Sequence, residues 1–364
     1  MRKEDKGMSE KRAFRRLILC LAGGLVAAAV MVFCIDPFYH YHDAWFGLPV
    51  VLENAVYQTS GAARNFEYDS VIIGTSMTEN FHAEWFDEEM GWDTVKLSYS
   101  GARTDDLKAI LEQIYSKRES PKHIVMDVNA YQLTVDPDSA YAVRPGYLYD
   151  QQFITDVSYL YNQDVYLASM NRILDKLTGR ESNLDDAYTW EEEEHFGKDK
   201  TLLAEQKTRV SLEESIKAGM QQASLDICDH NLDNILPFIE AHPETDFYIF
   251  YPPYSMLYWE QEIMKGNLEQ MITVYGRSIE RLLQYDNVKI FYFQNEKEII
   301  SNLDNYRDST HFRPEYNRYI CQCMKSGENL VTGENYQEQL QDMYEYANSF
   351  DYEALWTGVS VAGN

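Results

Sequence analysis

Two segments far apart in the chain carry side chains that could act together in nucleophilic catalysis. Ser76 follows a short apolar run in the sequence Gly74-Thr-Ser-Met, and Asp308 precedes His311 by three residues. A serine attacks a carbonyl carbon when a base within hydrogen-bond reach takes its proton and a third group orients that base. An Asp three residues before a His can face the same way and supply that third group. Taken singly, these residues also fit a plain turn after a strand and an ordinary, partly buried histidine.

Gly101 and Asn129 could supply the hydrogen-bond donors that a developing oxyanion requires. Gly101 follows a second apolar run and opens a predicted helix, whose first N–H groups lack a partner within the helix. Asn129 follows a third run, two residues after Asp127. We expect the chain to turn past Asp127, so that the Asn129 amide faces the nucleophile and the carboxylate is directed elsewhere. The simpler interpretations are a structural glycine at a strand–helix junction and an Asn that caps the following turn.

Ser76, Gly101 and Asn129 each follow a short apolar run of the kind that forms a buried parallel strand. The runs are rich in β-branched and aromatic side chains and alternate with helical patterns; they are residues 70–74, 94–98, 123–127, 246–251 and 288–293. The alternation predicts an α/β fold, a flavodoxin-like three-layer sandwich with a mostly parallel sheet of about five strands. In such sheets the chemistry lies at the carboxyl ends of the strands, which is where Ser76, Gly101 and Asn129 stand.

Residues 130–224 interrupt this alternation. The segment has no apolar run of the same quality, is rich in Tyr and acidic residues, and includes Trp190 followed by four glutamates. It is too long for a plain loop, so we expect a helical cap over the edge of the sheet; the alternative is a solvated surface elaboration without a role. The predicted domain spans 66–330 around this insertion, between a juxtamembrane linker at 36–65 and an acidic C-terminal extension at 331–364.

The N-terminal part of the chain predicts a membrane anchor. Residues 1–16 form a stub with seven basic and three acidic residues, and Leu17–Ile35 is a run of 19 residues without a charge. As a helix, this run is about 28 Å long, close to the ~30 Å hydrocarbon core of a bilayer. The positive-inside rule places the stub in the cytoplasm, so we expect a single-pass signal anchor in the cell membrane with the body outside. A cleaved signal peptide, the alternative, leads to the same compartment.

The charge balance and the cysteines limit the classes of partner and cofactor. The chain has 32 Lys and Arg against 59 Asp and Glu, for a formal net charge of -27. This excess of acid argues against a nucleic acid partner, because phosphate binding needs a basic face. The five cysteines show neither a disulfide framework nor the spacing of a zinc site. We therefore expect no cofactor and no metal.

The order of the candidate residues resembles that of a known hydrolase family. The chain resembles the SGNH hydrolases, also called GDSL hydrolases, over about residues 66–325 apart from the insertion. The resemblance implies a role for each member of the set: nucleophile Ser76, base His311, orienting acid Asp308, and oxyanion-hole donors Gly101 and Asn129 beside the N–H of Ser76.

Two of the blocks that define this family are altered in the chain. The first block of the family reads Gly-Asp-Ser-Leu, and here Thr75 and Met77 replace its Asp and Leu. The third block reads Gly-x-Asn-Asp, and here Asp127 and Ala130 replace its Gly and its final Asp. The changes keep the four named side chains and Gly101, and they alter the surroundings of these residues.

The anchored, outward-facing plan resembles the branch of the family that includes the D-alanine transfer protein of teichoic acid and the partners of polysaccharide O-acetyltransferases. It implies a serine acyl esterase or O-acyltransferase that acts on a cell-envelope polysaccharide or glycopolymer through a Ser76 acyl-enzyme, with a multi-span membrane acyltransferase as candidate partner. The 28 tyrosines suit sugar binding, although Tyr in place of Phe at half-buried positions explains most of them. The rival hypothesis is a catalytically silent binding or scaffold protein with the SGNH fold. The altered blocks favour it, and the complete pair Asp308 and His311 disfavours it.

Overall fold

The computed structural model describes residues 2–117, 119–139, 144–150, 152–190, 195–206 and 223–357, without the side chains of residues 2–10. Within the predicted insertion, residues 140–143, 151, 191–194 and 207–222 lie outside the described residues, as do 358–364 of the predicted C-terminal extension. The chain forms two compact units. The smaller comprises Met1–Val51, Val56–Phe66 and Val143–Asn183, and the larger comprises Leu52–Ala55, Glu67–Ala142 and Leu184–Asn364.

The larger unit contains a six-stranded sheet. Its strands are β1 (Ser70–Ile73), β2 (Thr94–Lys96), β3 (His123–Asp127), β4 (Asp246–Tyr251), β5 (Val288–Tyr292) and β6 (Leu330–Val331). Their order across the sheet is β2-β1-β3-β4-β5-β6. The first five strands pair in parallel, with Val71 opposite both Val95 and Ile124, and β6 pairs with β5 in antiparallel fashion. The predicted α/β class with a mostly parallel sheet is thus confirmed.

Burial explains why these strands can be predicted from the sequence. Every residue of β1 and β2 is buried, as are all but the first residues of β3 and β4. Strands that are covered on both faces are apolar throughout rather than alternating. The sheet has one strand more than the expected five, because the two residues of β6 add an antiparallel edge that is too short to form a recognisable apolar run.

Helices connect the strands and bury their apolar faces. The longest helix among the described residues of this unit, Leu268–Leu282, buries seven residues at helical spacing and packs against Leu225–Leu232 and Tyr336–Ser349. The unit's remaining helices are Ser76–Glu79, Ala83–Met90, Thr104–Ile114, Ala130–Thr134, 198–206, Leu236–Ala241, Met256–Met264, Lys297–Ile300, Leu303–Asn305 (a 3₁₀ helix), Pro314–Ser326 and Tyr352–Trp356. Because β6 and Tyr336–Ser349 belong to this packing, the described part of the predicted C-terminal extension is part of the larger unit.

The smaller unit is helical. Its helices are Arg2–Ile35, Ala55–Asn65, Gly146–Tyr149, Val157–Leu160 and Gln163–Thr178. Directly after the first helix, the buried Asp36 carboxylate accepts hydrogen bonds from three backbone N–H groups, those of residues 40–42, and from the Tyr159 hydroxyl. Burial raises the pKa of Asp36, and these four hydrogen bonds oppose that rise and fix the loop that follows the helix.

The first helix includes a segment of 25 residues, Lys11–Ile35, that is long and apolar enough to cross a membrane. Its large apolar side chains, among them Leu17, Leu19 and Val26, are exposed. Exposure of so many adjacent apolar side chains is typical of a helix that lipid surrounds. The segment is compatible with the predicted single-pass anchor.

Candidate active site

Ser76 lies where the chain leaves the carboxyl end of β1. Thr75 caps the helix Ser76–Glu79, and its hydroxyl accepts a hydrogen bond from the N–H of Met77. The turn presents the Ser76 hydroxyl to His311, with Oγ 2.8 Å from Nε2. Within the described part of the chain, the Ser76 N–H makes no hydrogen bond. The nucleophile predicted from the sequence therefore meets its predicted base and has a donor at hand for a substrate oxygen.

Asp308 holds His311 in position. Its Oδ2 accepts a hydrogen bond from His311 Nδ1 at 2.7 Å, and its Oδ1 accepts the backbone N–H groups of Thr310 and His311 at 2.9 and 2.8 Å. Burial alone would raise the pKa of Asp308, but the hydrogen bonds and the charge of His311 outweigh it and hold that pKa well below its ordinary range. The ionised carboxylate fixes the proton on Nδ1, which leaves Nε2 to accept from Ser76.

The predicted insertion reaches this site at two points. The Trp190 ring packs edge-on against the His311 ring, with centroids 5.5 Å apart. Glu205 is buried and accepts the N–H of Ser309 at 2.8 Å, which fixes the loop between Asp308 and His311. Sequence reasoning missed both residues, because each acts on a partner more than a hundred positions away. The two contacts favour a role for the insertion at the site over a solvated elaboration.

Gly74 and Asp127 bring the ends of β1 and β3 together. Gly74 has a φ of +148°, and a Cβ at this position would overlap the Asp127 carboxylate and the Thr78 side chain, so only glycine fits. Asp127 is fully buried and accepts hydrogen bonds from the N–H and the hydroxyl of Thr75 at 2.8 and 2.9 Å. Burial raises the pKa of Asp127, and these hydrogen bonds oppose that rise. Two of the altered block positions, Thr75 and Asp127, are thus bonded to each other.

Asn129 is held on both sides of its amide. Its Oδ1 accepts the N–H of Gln132 at 3.0 Å and so caps the helix Ala130–Thr134, the role that the simpler interpretation gave it. Its Nδ2 donates to Asp127 at 2.6 Å and to the Thr75 hydroxyl at 3.2 Å. The chain does turn after Asp127, but the carboxylate stays beside the Asn129 amide instead of being directed away. The cap causes this, because it folds residue 129 back over the end of the strand.

Gly101 adopts the left-handed conformation with a φ of +72° and lines the same cavity as Ser76. Glu79 holds this turn, since its two carboxylate oxygens accept the N–H and the hydroxyl of Ser100 at 2.6 and 2.7 Å. Burial raises the pKa of Glu79, with the Ser100 hydrogen bonds and the charge of Lys96 opposing the rise. The fully buried Lys96 ammonium donates to the carbonyls of Glu79 and Phe81. Sequence reasoning missed both charged residues, although a lysine inside an apolar strand is a visible signal.

The predicted residues open into one cavity of about 470 Å³. Its wall includes Ser76, His311, Gly101 and Asn129, and Asp308 stands behind His311. The wall also includes Tyr131, Tyr254, Tyr258 and Arg307. A cavity of this volume is large enough for a small organic ligand. The structure therefore brings all five predicted site residues to one place.

A separate group of side chains has the composition of a metal site. Among the residues that the structure describes, His82, Glu84 and Asp185 place potential ligand atoms within 4.8 Å of one another. Asp185 already accepts a hydrogen bond from the N–H of Glu84 at 2.7 Å and contacts His82 Nδ1 at 3.2 Å. None of the three lines the Ser76 cavity.

The fold and the site define an α/β protein with a Ser–His–Asp arrangement at the carboxyl edge of a mostly parallel sheet. No protein-family model matches the chain, and no curated protein is significantly similar to it in sequence. The function is therefore inferred from the geometry of the site and from the order of its residues.

Proposed function

We propose that the protein is a membrane-anchored serine acyl esterase or O-acyltransferase that acts on a cell-envelope polysaccharide or glycopolymer. The observation that carries this proposal is the hydrogen-bonded series from Ser76 Oγ through His311 to Asp308, with distances of 2.8 and 2.7 Å. These are the contacts that a nucleophile, its base and the orienting acid require. The resemblance of the ordered residues to the SGNH hydrolases supports the same roles.

In the proposed reaction, Ser76 Oγ attacks the carbonyl carbon of an ester and its proton passes to His311 Nε2. The π electron pair of the carbonyl moves onto oxygen, where the N–H groups of Ser76 and Gly101 stabilise it. When the tetrahedral intermediate collapses, the alcohol leaves with the proton from His311, and the acyl group stays on Ser76. Asp308 stabilises the imidazolium that exists between the two proton transfers.

The second half of the reaction distinguishes an esterase from a transferase. His311 removes a proton from water in the first case and from a sugar hydroxyl in the second, and the acceptor oxygen bonds to the acyl carbon. The bond from that carbon to Ser76 Oγ then breaks, and His311 returns the proton to Oγ. A sugar acceptor competes better as the cavity becomes drier. The aromatic side chains of Tyr131, Tyr254 and Trp190 at or beside the cavity support a glycan substrate, because aromatic faces pack on sugar rings while phenols donate hydrogen bonds.

The proposed location is the outer face of the cell membrane. The apolar segment Lys11–Ile35 supports an anchor, and the basic residues before it support a cytoplasmic N-terminus. On this side of the membrane the acyl donor has to be delivered across the bilayer. A multi-span membrane acyltransferase is the proposed partner that makes this delivery.

A catalytically silent scaffold with the SGNH fold is the second candidate function. The observation that favours it is the Asn129 amide, which donates to Asp127 and Thr75. An oxyanion hole that lacks its side-chain donor stabilises the transition state less. A carboxylate beside the hole also repels the charge that develops there.

Labelling with a fluorophosphonate probe separates the two candidates. We expect the full chain, purified in detergent, to be labelled, and we expect Ser76→Ala and His311→Ala to lose labelling while they remain folded. Ser309→Ala is the matched control. The Ser309 hydroxyl lies in the same loop as His311 but makes no hydrogen bond among the described residues. A folded but unlabelled wild type would favour the scaffold, and labelling of Ser76→Ala would overturn the site assignment.

A further inference from the structure

Tyr254 has a hydroxyl group that makes no hydrogen bond within the described part of the chain. The residue is only 4% exposed and lies in the wall of the Ser76 cavity. Its backbone is rigid, since it follows Pro252 and Pro253 after β4 and its N–H donates to the Pro252 carbonyl at 2.9 Å. The hydroxyl itself is not enclosed by protein atoms, so it opens into the cavity. A phenol that faces the cavity without a described partner is available to donate a hydrogen bond to a bound group.

The phenol of Tyr254 is near the acidic residues on both sides of the candidate active site. The carboxylates of Asp127 and Asp308 both act on it electrostatically. Asp127 bonds the residue before the nucleophile, and Asp308 bonds the base. The Tyr258 ring packs edge-on against the Tyr254 ring, with centroids 4.7 Å apart, and holds it in place. Burial, with a smaller effect of the two carboxylates, raises the pKa of Tyr254 well above its ordinary value, so the phenol keeps its proton.

The oxyanion hole needs such a donor. In the family that the chain resembles, an Asn amide serves as a donor to the oxyanion, but both amide hydrogens of Asn129 have acceptors here, Asp127 and Thr75. The carboxylates of Asp127 and Asp308 near the cavity also disfavour the negative charge of the oxyanion unless a hydrogen-bond donor stabilises it. Tyrosine hydroxyls are among the side-chain groups that form oxyanion holes.

We infer that the Tyr254 hydroxyl takes the place of the Asn129 amide as an oxyanion donor, which makes Tyr254 a catalytic residue of the proposed acyl transfer. The inference rests on the proposed function. As the Ser76 Oγ–carbon bond forms and the Ser76 proton moves to His311, the carbonyl π pair becomes a lone pair on oxygen. The O–H of Tyr254 donates a hydrogen bond to that oxygen and keeps its proton. When the pair returns to carbon, the bond to the leaving alcohol breaks and His311 protonates the alcohol.

Substitution Tyr254→Phe tests the inference on the full chain in detergent, with hydrolysis of p-nitrophenyl acetate as the assay. We expect kcat to fall by about 10²–10³-fold with KM little changed, because the hydrogen bond is strong only in the transition state. The melting temperature should stay at the wild-type value, since the hydroxyl bonds to no described residue. Tyr292→Phe is the matched control: it removes the hydroxyl of another buried tyrosine without a described partner, and this residue lies outside the cavity wall. It should keep the wild-type kcat.

The outcomes separate this inference from the proposed function. A folded Tyr254→Phe protein with wild-type kcat overturns the inference and leaves the Ser76 mechanism intact. A wild type without turnover and without fluorophosphonate labelling overturns the proposed function itself. Tyr254→Met gives a second measurement if Tyr254→Phe does not fold, because Met also lacks a donor and adapts to irregular packing. A 10²–10³-fold loss of kcat per folded molecule supports Tyr254, and a wild-type kcat overturns the inference.

Discussion

Substitution of Asp308 by Asn tests the assigned roles with almost no change in shape. Oδ1 of Asp308 accepts the N–H groups of Thr310 and His311 at 2.9 and 2.8 Å, and an Asn oxygen can keep both hydrogen bonds. The Asn nitrogen then stands where Oδ2 now lies, 2.7 Å from His311 Nδ1, and it can only donate. This favours Nδ1 as an acceptor and moves the ring proton towards Nε2, against the competing contact of Nδ1 with Oδ1 at 3.0 Å; Arg307 Nε also loses the acceptor that it now has in Oδ2 at 3.3 Å. A protonated Nε2 cannot take the proton of Ser76.

The expected loss is about 10⁴-fold in kcat, the effect of a wrong histidine tautomer in a serine-protease triad. This corresponds to ~5.5 kcal/mol of transition-state stabilisation. The release of p-nitrophenol from p-nitrophenyl acetate measures it, and KM should change little because the substrate does not touch Asp308. Asp304→Asn is the matched control, since it neutralises an exposed carboxylate four residues earlier that accepts only from the backbone of Lys198.

Asp308→Asn should also change how the free energy of unfolding depends on pH. Because the pKa of Asp308 is lowered in the folded state, its contribution to the free energy of unfolding is present above the unfolded-state pKa of ~3.9 and is lost as the pH falls through the folded value. The wild type should therefore be more stable than Asp308→Asn at neutral pH, and the difference should shrink in acid. A folded Asp308→Asn protein that retains more than a tenth of the wild-type kcat would refute the assignment of base and orienting acid.

Three further predictions concern the surroundings of the site and the anchor. Gly74→Ala should lower the free energy of unfolding, measured in urea, by at least ~2 kcal/mol, because the new Cβ overlaps the Asp127 carboxylate. Gly91 also has a positive φ, +73°, but open space around it, so Gly91→Ala should lower this free energy by only ~1–2 kcal/mol. Equal losses in the two variants would contradict the overlap. Since burial raises the pKa of Asp127, its stabilising contribution is full below a pH of ~3.9 and is lost as the pH rises through the folded value, so the wild type should lose stability relative to Asp127→Asn as the pH rises above ~4; the opposite trend in urea titrations would show a carboxylate stabilised as an anion. Protease added to intact cells should digest the part of the chain after the anchor and leave residues 1–16 protected. Protection of the whole chain until lysis would show that the predicted orientation is wrong.

The parallel strands could be predicted from the sequence because burial on both faces makes them apolar throughout. Three strands, β1, β2 and β3, are followed within five residues by Ser76, Gly101 and Asn129, so the strand-end rule alone brings these candidate residues to one edge. Strand β6 could not be predicted in the same way. Its two residues pair with β5 only because the helix Pro314–Ser326 returns the chain to that edge, and a pair of apolar residues carries no periodic signal.

The contacts around the nucleophile depend on strand register, which the sequence alone does not give. Ile73 lies opposite Met126 in the pairing of β1 with β3, and this register places Gly74 and Thr75 beside Asp127. A shift of one residue would turn every side chain of the strand to the other face. The triad could be predicted because Asp308 and His311 are close in sequence, whereas the bonds among Thr75, Asp127 and Asn129 join two strands and a turn.

The two altered blocks meet in the structure. Compared with the family that the chain resembles, a carboxylate is missing at residue 75 and an additional one is present at residue 127. The Asp127 carboxylate is bonded to the N–H and the hydroxyl of Thr75, so the two altered positions are in direct contact. The same carboxylate accepts the Asn129 amide, which is then not available to the proposed oxyanion. In the proposed enzyme, the Tyr254 hydroxyl in the cavity wall would add a donor to the N–H groups of Ser76 and Gly101. Tyr254→Phe tests this donor, because it removes the phenol without disturbing a hydrogen bond among the described residues.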